Sequence, residues 1–127
     1  MKKRFWIGVL FSVLPVWAMA AAPGDADLSF NHLGYVATVP AKAGTSFNGN
    51  DIIQQADGKL VAVGNAYNTK GAKQFAVLRY NIDGTLDTTF NGTGMVITPV
   101  SDLSLPKDDA KAVIQQRNGR LVVVGVT

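Results

Sequence analysis

The stretch IIQQADGKLVAVG, Ile52 to Gly64, decides the fold because the chain writes it twice: VIQQRNGRLVVVG follows at Val113 to Gly125. Aligned at an offset of 61, Ile53–Gly64 and Ile114–Gly125 agree at eight of twelve positions. Two of the differences keep the chemistry, since Asp57-Gly58 becomes Asn118-Gly119 and Lys59 becomes Arg120. An Asx-Gly pair between apolar runs predicts a β-hairpin, with φ > 0 at both central residues of a type I′ turn. The runs that follow, Leu60–Val63 and Leu121–Val124, are continuously apolar. That pattern predicts strands buried on both faces, with other sheets stacked above and below.

A second match lies upstream at an offset of 60: Asp27, Phe30, Asn31 and Gly34 correspond to Asp87, Phe90, Asn91 and Gly94. Both copies read D-x-x-F-N-x-x-G and lead into a β-rich run. A period near 60 suits a four-stranded unit. The first unit, about 25–84, is read as strands at Tyr35–Val39, Asp51–Gln55, Lys59–Ala66 and Gln74–Tyr80. The second, 85–127, is read as strands at Met95–Val100, Ala110–Gln116 and Arg120–Val126, without a fourth. Asp83-Gly84 makes a further turn. Gly64 and Gly125 each end a strand in this reading and let the backbone bend or approach the next unit. The expected class is all-β and antiparallel, with propeller-type four-stranded blades, about one and three-quarters of them.

These residues carry a resemblance. FAVLRYNIDGTLDTTFNGTGMV (Phe75–Val96) together with IIQQADGKLVAVG closely resembles the delta-60 repeat of bacterial secreted and surface proteins. The resemblance extends from about Asp25 to Thr127 and implies a β-propeller-like fold with no assigned activity. The chain departs from that family in one respect: its members carry many repeats, and this sequence carries fewer than two.

The first residues read as a leader. Lys2, Lys3 and Arg4 precede an apolar run from Phe5 to Trp17, and Ala18-Met19-Ala20 is the small-x-small pattern that signal peptidase reads. Cleavage is placed after Ala20, with Ala21 or Ala22 as nearby alternatives, leaving residues 21–127 exported to the periplasm or the exterior. An uncleaved anchor is the alternative, because Phe5–Ala22 is an uncharged run of 18 residues. The chain has 12 Lys and Arg against 9 acids; three of the bases lie in the leader, so residues 21–127 carry 9 against 9. That balance removes the electrostatic case for nucleic acid. All nine acids are Asp, and there are 13 Gly and no Cys, a composition of turns and strands without disulfides.

Material for catalysis is sparse, with one His, no Cys and no Glu. A Ser-His-Asp arrangement would use His32 with Ser29 or Ser46, but neither serine sits in a nucleophile-elbow pattern. Asn81, Asp83, Thr85 and Asp87 have the alternate oxygen spacing of a calcium loop. Leu86 stands where that loop needs Gly, and Gly92 where it needs the bidentate Glu. Asn81, Asp83 and Asp87 are the residues a calcium ion would use; the bland alternative is a turn at Asp83-Gly84 and an Asx cap at Asp87. Phe30 and Phe90 read as aromatic plugs anchoring the loop between units. Arg79 either pairs with an Asp of the neighbouring turn or marks an exposed edge.

The reading is a non-catalytic structural or binding module without a cofactor, directed at a protein or carbohydrate ligand and not at nucleic acid or, after leader cleavage, a membrane. The alternative is a secreted hydrolase or lyase on a propeller scaffold. Propellers use about four to eight blades, so three arrangements accommodate fewer than two: a truncated coding region, which is favoured; several chains donating blades to one ring; or two units packed face to face. Leu121–Thr127 is apolar, uncharged and free of proline, and is expected to act as an edge for self-association.

Overall fold

The computed structural model describes residues 22–38, 46–102 and 106–127. The leader and its helix, read at residues 1–20, lie outside them. Six strands follow one another: β1 (Phe47–Gln54), β2 (Leu60–Tyr67), β3 (Lys73–Tyr80), β4 (Met95–Thr98), β5 (Asp109–Gln115) and β6 (Leu121–Val126). β1 to β4 form one antiparallel sheet in sequence order, and β5 and β6 form a second. The chain is all-β and antiparallel, with no helix among the described residues.

The Asx-Gly corners are hairpins, but not of the expected type. Gly58 N–H donates to Gln55 O (2.9 Å) and Gln55 N–H to Lys59 O (2.8 Å); Gly119 and Gln116 repeat both bonds at 2.9 and 2.8 Å. Only the glycines are left-handed, with φ of 84° and 83°, whereas Asp57 and Asn118 keep negative φ. Each loop is therefore a three-residue turn with a glycine bulge, not a two-residue type I′ turn. The Asx side chain instead accepts the following N–H, from Lys59 at 3.2 Å or Arg120 at 3.1 Å. Asp83-Gly84 closes in the same way, with Gly84 at φ 84°.

The first sheet does not coincide with the first sequence unit. Its fourth strand, β4, comes from beyond Gly84 and pairs with β3 through Phe75↔Thr98 and Leu78↔Met95. The strand expected at Tyr35–Val39 is absent as far as the described residues run, since 35–38 are irregular. β4 is its repeat counterpart and forms because β3 precedes it and offers an edge. Among the described residues, nothing equivalent precedes Tyr35.

Both units carry the same bulge. The register of β1 against β2 shifts between Gly49 and Asp51, and that of β5 against β6 between Ala110 and Ala112, positions 61 apart. The glycine of β2 sits opposite this bulge. A methyl group on Gly64 would lie 1.8 Å from Asn48 O, and one on Gly125 would lie 2.2 Å from Asp109 O. Gly64 thus sits inside β2, which runs on to Tyr67, and is needed for close approach to β1 and not as a strand end.

The strands alternate faces, and the first sheet buries both. Val61, Val63, Phe75, Val77 and Ile53 face the second sheet and pack on Ala110, Val113, Leu121 and Val123. Val61 and Val63 are fully buried; each contributes about 2 kcal/mol relative to exposure. The opposite face gathers Ala66, Ala76, Leu78 and Tyr80, with Val36, Leu60, Ala62, Met95 and Ile97 against them. The expectation of double-sided burial holds for β2 but not for β6. Leu121 and Val123 turn inward, while Val122, Val124 and Val126 are exposed, because no described residue covers that side.

Candidate functional site

The two D-x-x-F-N-x-x-G loops have one backbone. Gly34 N–H donates to Phe30 O and Gly94 N–H to Phe90 O, both at 2.8 Å. Asn31 and Asn91 are left-handed at φ 51° and 52°, and their Nδ2 groups donate to Tyr35 O (3.0 Å) and Met95 O (2.9 Å). Each opening Asp accepts two bonds from the residue two places on: Asp27 Oδ1 from Ser29 N–H and Oγ–H, and Asp87 Oδ1 from Thr89 N–H and Oγ1–H.

Beyond that the loops part. Asp87 is buried, and its Oδ2 accepts from Lys59 Nζ at 2.8 Å and Arg79 Nε at 2.7 Å. The Lys59 and Thr89 hydrogen bonds hold its carboxyl well below the usual carboxylate range against the opposing effect of burial, and the Arg79 charge adds to them. Phe90 stacks on Arg79, with the guanidinium 4.6 Å from the ring centre. Arg79 is therefore the partner of an Asp in the neighbouring loop, and Phe90 covers the pair. Asp27 is exposed, and its carboxylate bonds among the described residues are those from Ser29, which lower its pKa as well.

A polar seam joins the two sheets. Asn50, the extra residue of the β1 bulge, donates through Nδ2 to Asp109 Oδ1 (2.6 Å) and Ala110 O (2.8 Å). Asn65 Nδ2 donates to the same Asp109 oxygen at 2.8 Å, and Val113 N–H donates to Asp51 Oδ2 at 2.9 Å. Burial disfavours the charge on Asp109, but the donors Lys111, Asn65 and Asn50 together keep its pKa lowered. Sequence reasoning missed this seam. Its signal was a polar side chain at Asp51 and at Asn65 among apolar strand neighbours.

Two hollows are related by the repeat. The larger, about 560 Å³, is lined by Phe30, Val36, Leu60 and Ala62 together with Ile52 and Tyr80. The other, about 340 Å³, is lined by their counterparts Phe90, Val96, Leu121 and Val123, with Val77 and Arg79 of the first sheet closing one side. The first hollow opens on the outer face of the first sheet. On the far side of the molecule, Ile114, Val124 and Val126 are 60%, 56% and 55% exposed.

The catalytic and metal candidates are dispersed. His32 is an exposed loop residue at φ 57°, the left-handed position that Gly92 fills at φ 71° in the other copy. Ser29 Oγ donates to Asp27, and Ser46 lies by the larger hollow. Asp83 Oδ1 accepts from Thr85 N–H and Oγ1–H, and Asn81 Nδ2 donates to Thr85 Oγ1. Asp87 points instead to Lys59 and Arg79, so the carboxylates proposed for calcium serve separate structural bonds. No group of three or more His, Cys, Asp or Glu side chains that could hold a metal gathers among the described residues.

A family model described as a beta-propeller domain of unknown function (DUF5122) matches residues 55–90, from the first Asx-Gly corner to Phe90. No curated protein and no solved structure matches the chain. The matched segment takes in β2, β3, the turn at Asp83-Gly84 and the Asp87 loop. Over this stretch the chain is similar to a β-propeller family, and the antiparallel four-stranded sheet around it has the form of a propeller blade.

Proposed function

We propose that the chain is an exported, non-catalytic module of the delta-60 kind, whose work is to present a stacked β scaffold to a protein or carbohydrate partner. One observation carries the reading: the polar groups that could perform chemistry are committed to holding units together. Asp87 binds Lys59 and Arg79, and Asp109 binds Asn50 and Asn65. His32 lies on an exposed loop near Asp83, whose carboxylate is already held by Thr85, and Ser29 donates to Asp27 instead of to the imidazole. The leader residues Lys2–Ala20 support export.

The test pairs turnover with binding. The purified chain and its His32→Ala variant are screened against ester, glycoside and acidic polysaccharide substrates, then against glycan and peptide arrays. Absence of turnover in both proteins, with array binding retained in the variant, supports a binding module. Turnover that is lost on His32→Ala establishes the hydrolase or lyase instead. N-terminal sequencing of the product from a periplasmic fraction tests export: Ala21 as first residue is expected, and Met1 would overturn it.

A further inference from the structure

We infer that the exposed outer face of the second sheet and the hollow that the described residues leave open on the first sheet are the halves of one interface, through which a second copy of this chain stacks head to tail. The molecule already contains a finished example. The first sheet presents Ile53, Val61 and Val63 to the second, which receives them with Val113, Leu121 and Val123. At the offset of 61, the counterparts of the presenting residues are Ile114, Val122 and Val124. These line the outer face of the second sheet and are 60%, 37% and 56% exposed. The counterparts of the receiving residues are Ile52, Leu60 and Ala62, which line the open hollow of the first sheet. Among the described residues, each copy thus carries an exposed presenting face and a receiving hollow open at Ile52, Leu60 and Ala62.

The two hollows make the same point. Phe30, Val36, Leu60 and Ala62 repeat Phe90, Val96, Leu121 and Val123. In the second set, the preceding sheet supplies Val77 and Arg79 as a wall; in the first set, no described residue takes that place. A preceding unit of the same kind fits there.

Charge sets the direction. Within the chain, Lys59 of the first repeat unit meets Asp87, which opens the loop of the second unit, at 2.8 Å. Their counterparts are Arg120 and Asp27, both exposed, and Asp27 already holds the bonded geometry of Asp87 toward residue i+2. Stacking the first sheet of one copy on the second sheet of another brings Arg120 of one to Asp27 of the other. The seam residues differ: Asn50, Asp51 and Asn65 are replaced by Lys111, Ala112 and Val126. The contact between copies is therefore more apolar than the internal one and lacks its buried hydrogen bonds. Because each copy has both halves, the contact is heterologous and continues past two copies.

Sedimentation velocity on the full chain and on variants at exposed positions tests this. Wild type is expected to form species larger than dimers as concentration rises. Val124→Asp blocks the presenting face and Ile52→Asp the receiving face. Each variant alone should sediment as a monomer, and a one-to-one mixture should form dimers and stop. Arg120→Asp and Asp27→Arg should each weaken assembly about tenfold, and the double variant should restore it. Wild type remaining monomeric at several hundred micromolar overturns the inference. So does assembly indifferent to Ile52→Asp, which would assign the contact to the free edge of β6. Circular dichroism of each variant confirms that the sheets persist.

Discussion

Asp27 and Asp87 open loops of the same sequence pattern and the same backbone, yet one is exposed and the other is buried against two cations. The difference lies outside the loops. Asp87 follows β3, so Arg79 and Lys59 are beside it, whereas no described strand precedes Asp27. The strands that follow diverge in the same way: Met95–Thr98 finds an edge on β3, and 35–38 does not. Local sequence therefore fixes the bend of the chain, and the neighbouring unit decides whether that bend becomes a bridge or a strand.

The largest expected effect tests whether the bulge and its glycine are one device in both copies. Gly64→Ala would place a methyl group 1.8 Å from the carbonyl oxygen of Asn48, and backbone cannot yield there cheaply. We expect a loss of about 4 kcal/mol or more, enough to leave the chain unfolded. Gly125→Ala meets Asp109 O at 2.2 Å and the Phe75 ring at 2.6 Å. Its damage should centre on β5 and β6, with amide exchange in β1 to β3 the last to rise. Gly71→Ala is the control: that glycine has φ 79° and open space around it, so only about 1 kcal/mol is at stake. Equal, mild losses at Gly64 and Gly71 would break the comparison.

Next in size is the bridge itself. Asp87→Asn should lower the thermal midpoint by several degrees, because it leaves Lys59 and Arg79 facing a neutral amide; Asp27→Asn should leave the midpoint nearly unchanged. The pH dependence follows from the lowered pKa of Asp87. Its contribution is complete above the unfolded carboxylate pKa of about 4 and is lost as pH falls toward the lower folded value. The gap between wild type and Asp87→Asn should be widest near neutrality and shrink below about pH 3. A gap that does not change from pH 7 to pH 2 would detach the pKa shift from stability.

Much of this is legible in the residues. Eight identities across Ile53–Gly64 and its copy place β1, β2, β5 and β6 within a few residues, since apolar runs around an Asx-Gly corner have few other solutions. The handedness of the corner is not legible there, because Asp-Gly suits two turn types; the choice between them depends on Gln55 and Gln116 closing onto Lys59 and Arg120. The sheet boundary is hidden because a strand at Tyr35 needs a partner, and pairing is not written in the strand's own residues. The Asn50–Asp109 seam is hidden for the same reason, its two ends lying 59 residues apart.

The smallest effect separates what the loops share from what they do not. His32 and Gly92 occupy one left-handed position, at φ 57° and 71°. An L side chain there costs about 1 kcal/mol or somewhat more, and glycine's greater freedom in the unfolded chain cancels part of that. His32→Gly should therefore stabilise the chain by roughly 0.5 kcal/mol, and Gly92→His should destabilise it by a similar amount. The two sites lie in separate loops, so the double swap should come out near zero. Urea denaturation with a common m-value measures all three. If His32→Gly instead destabilises the chain, the imidazole makes a contact that Gly92 has no counterpart for, and the two loops are alike in backbone alone.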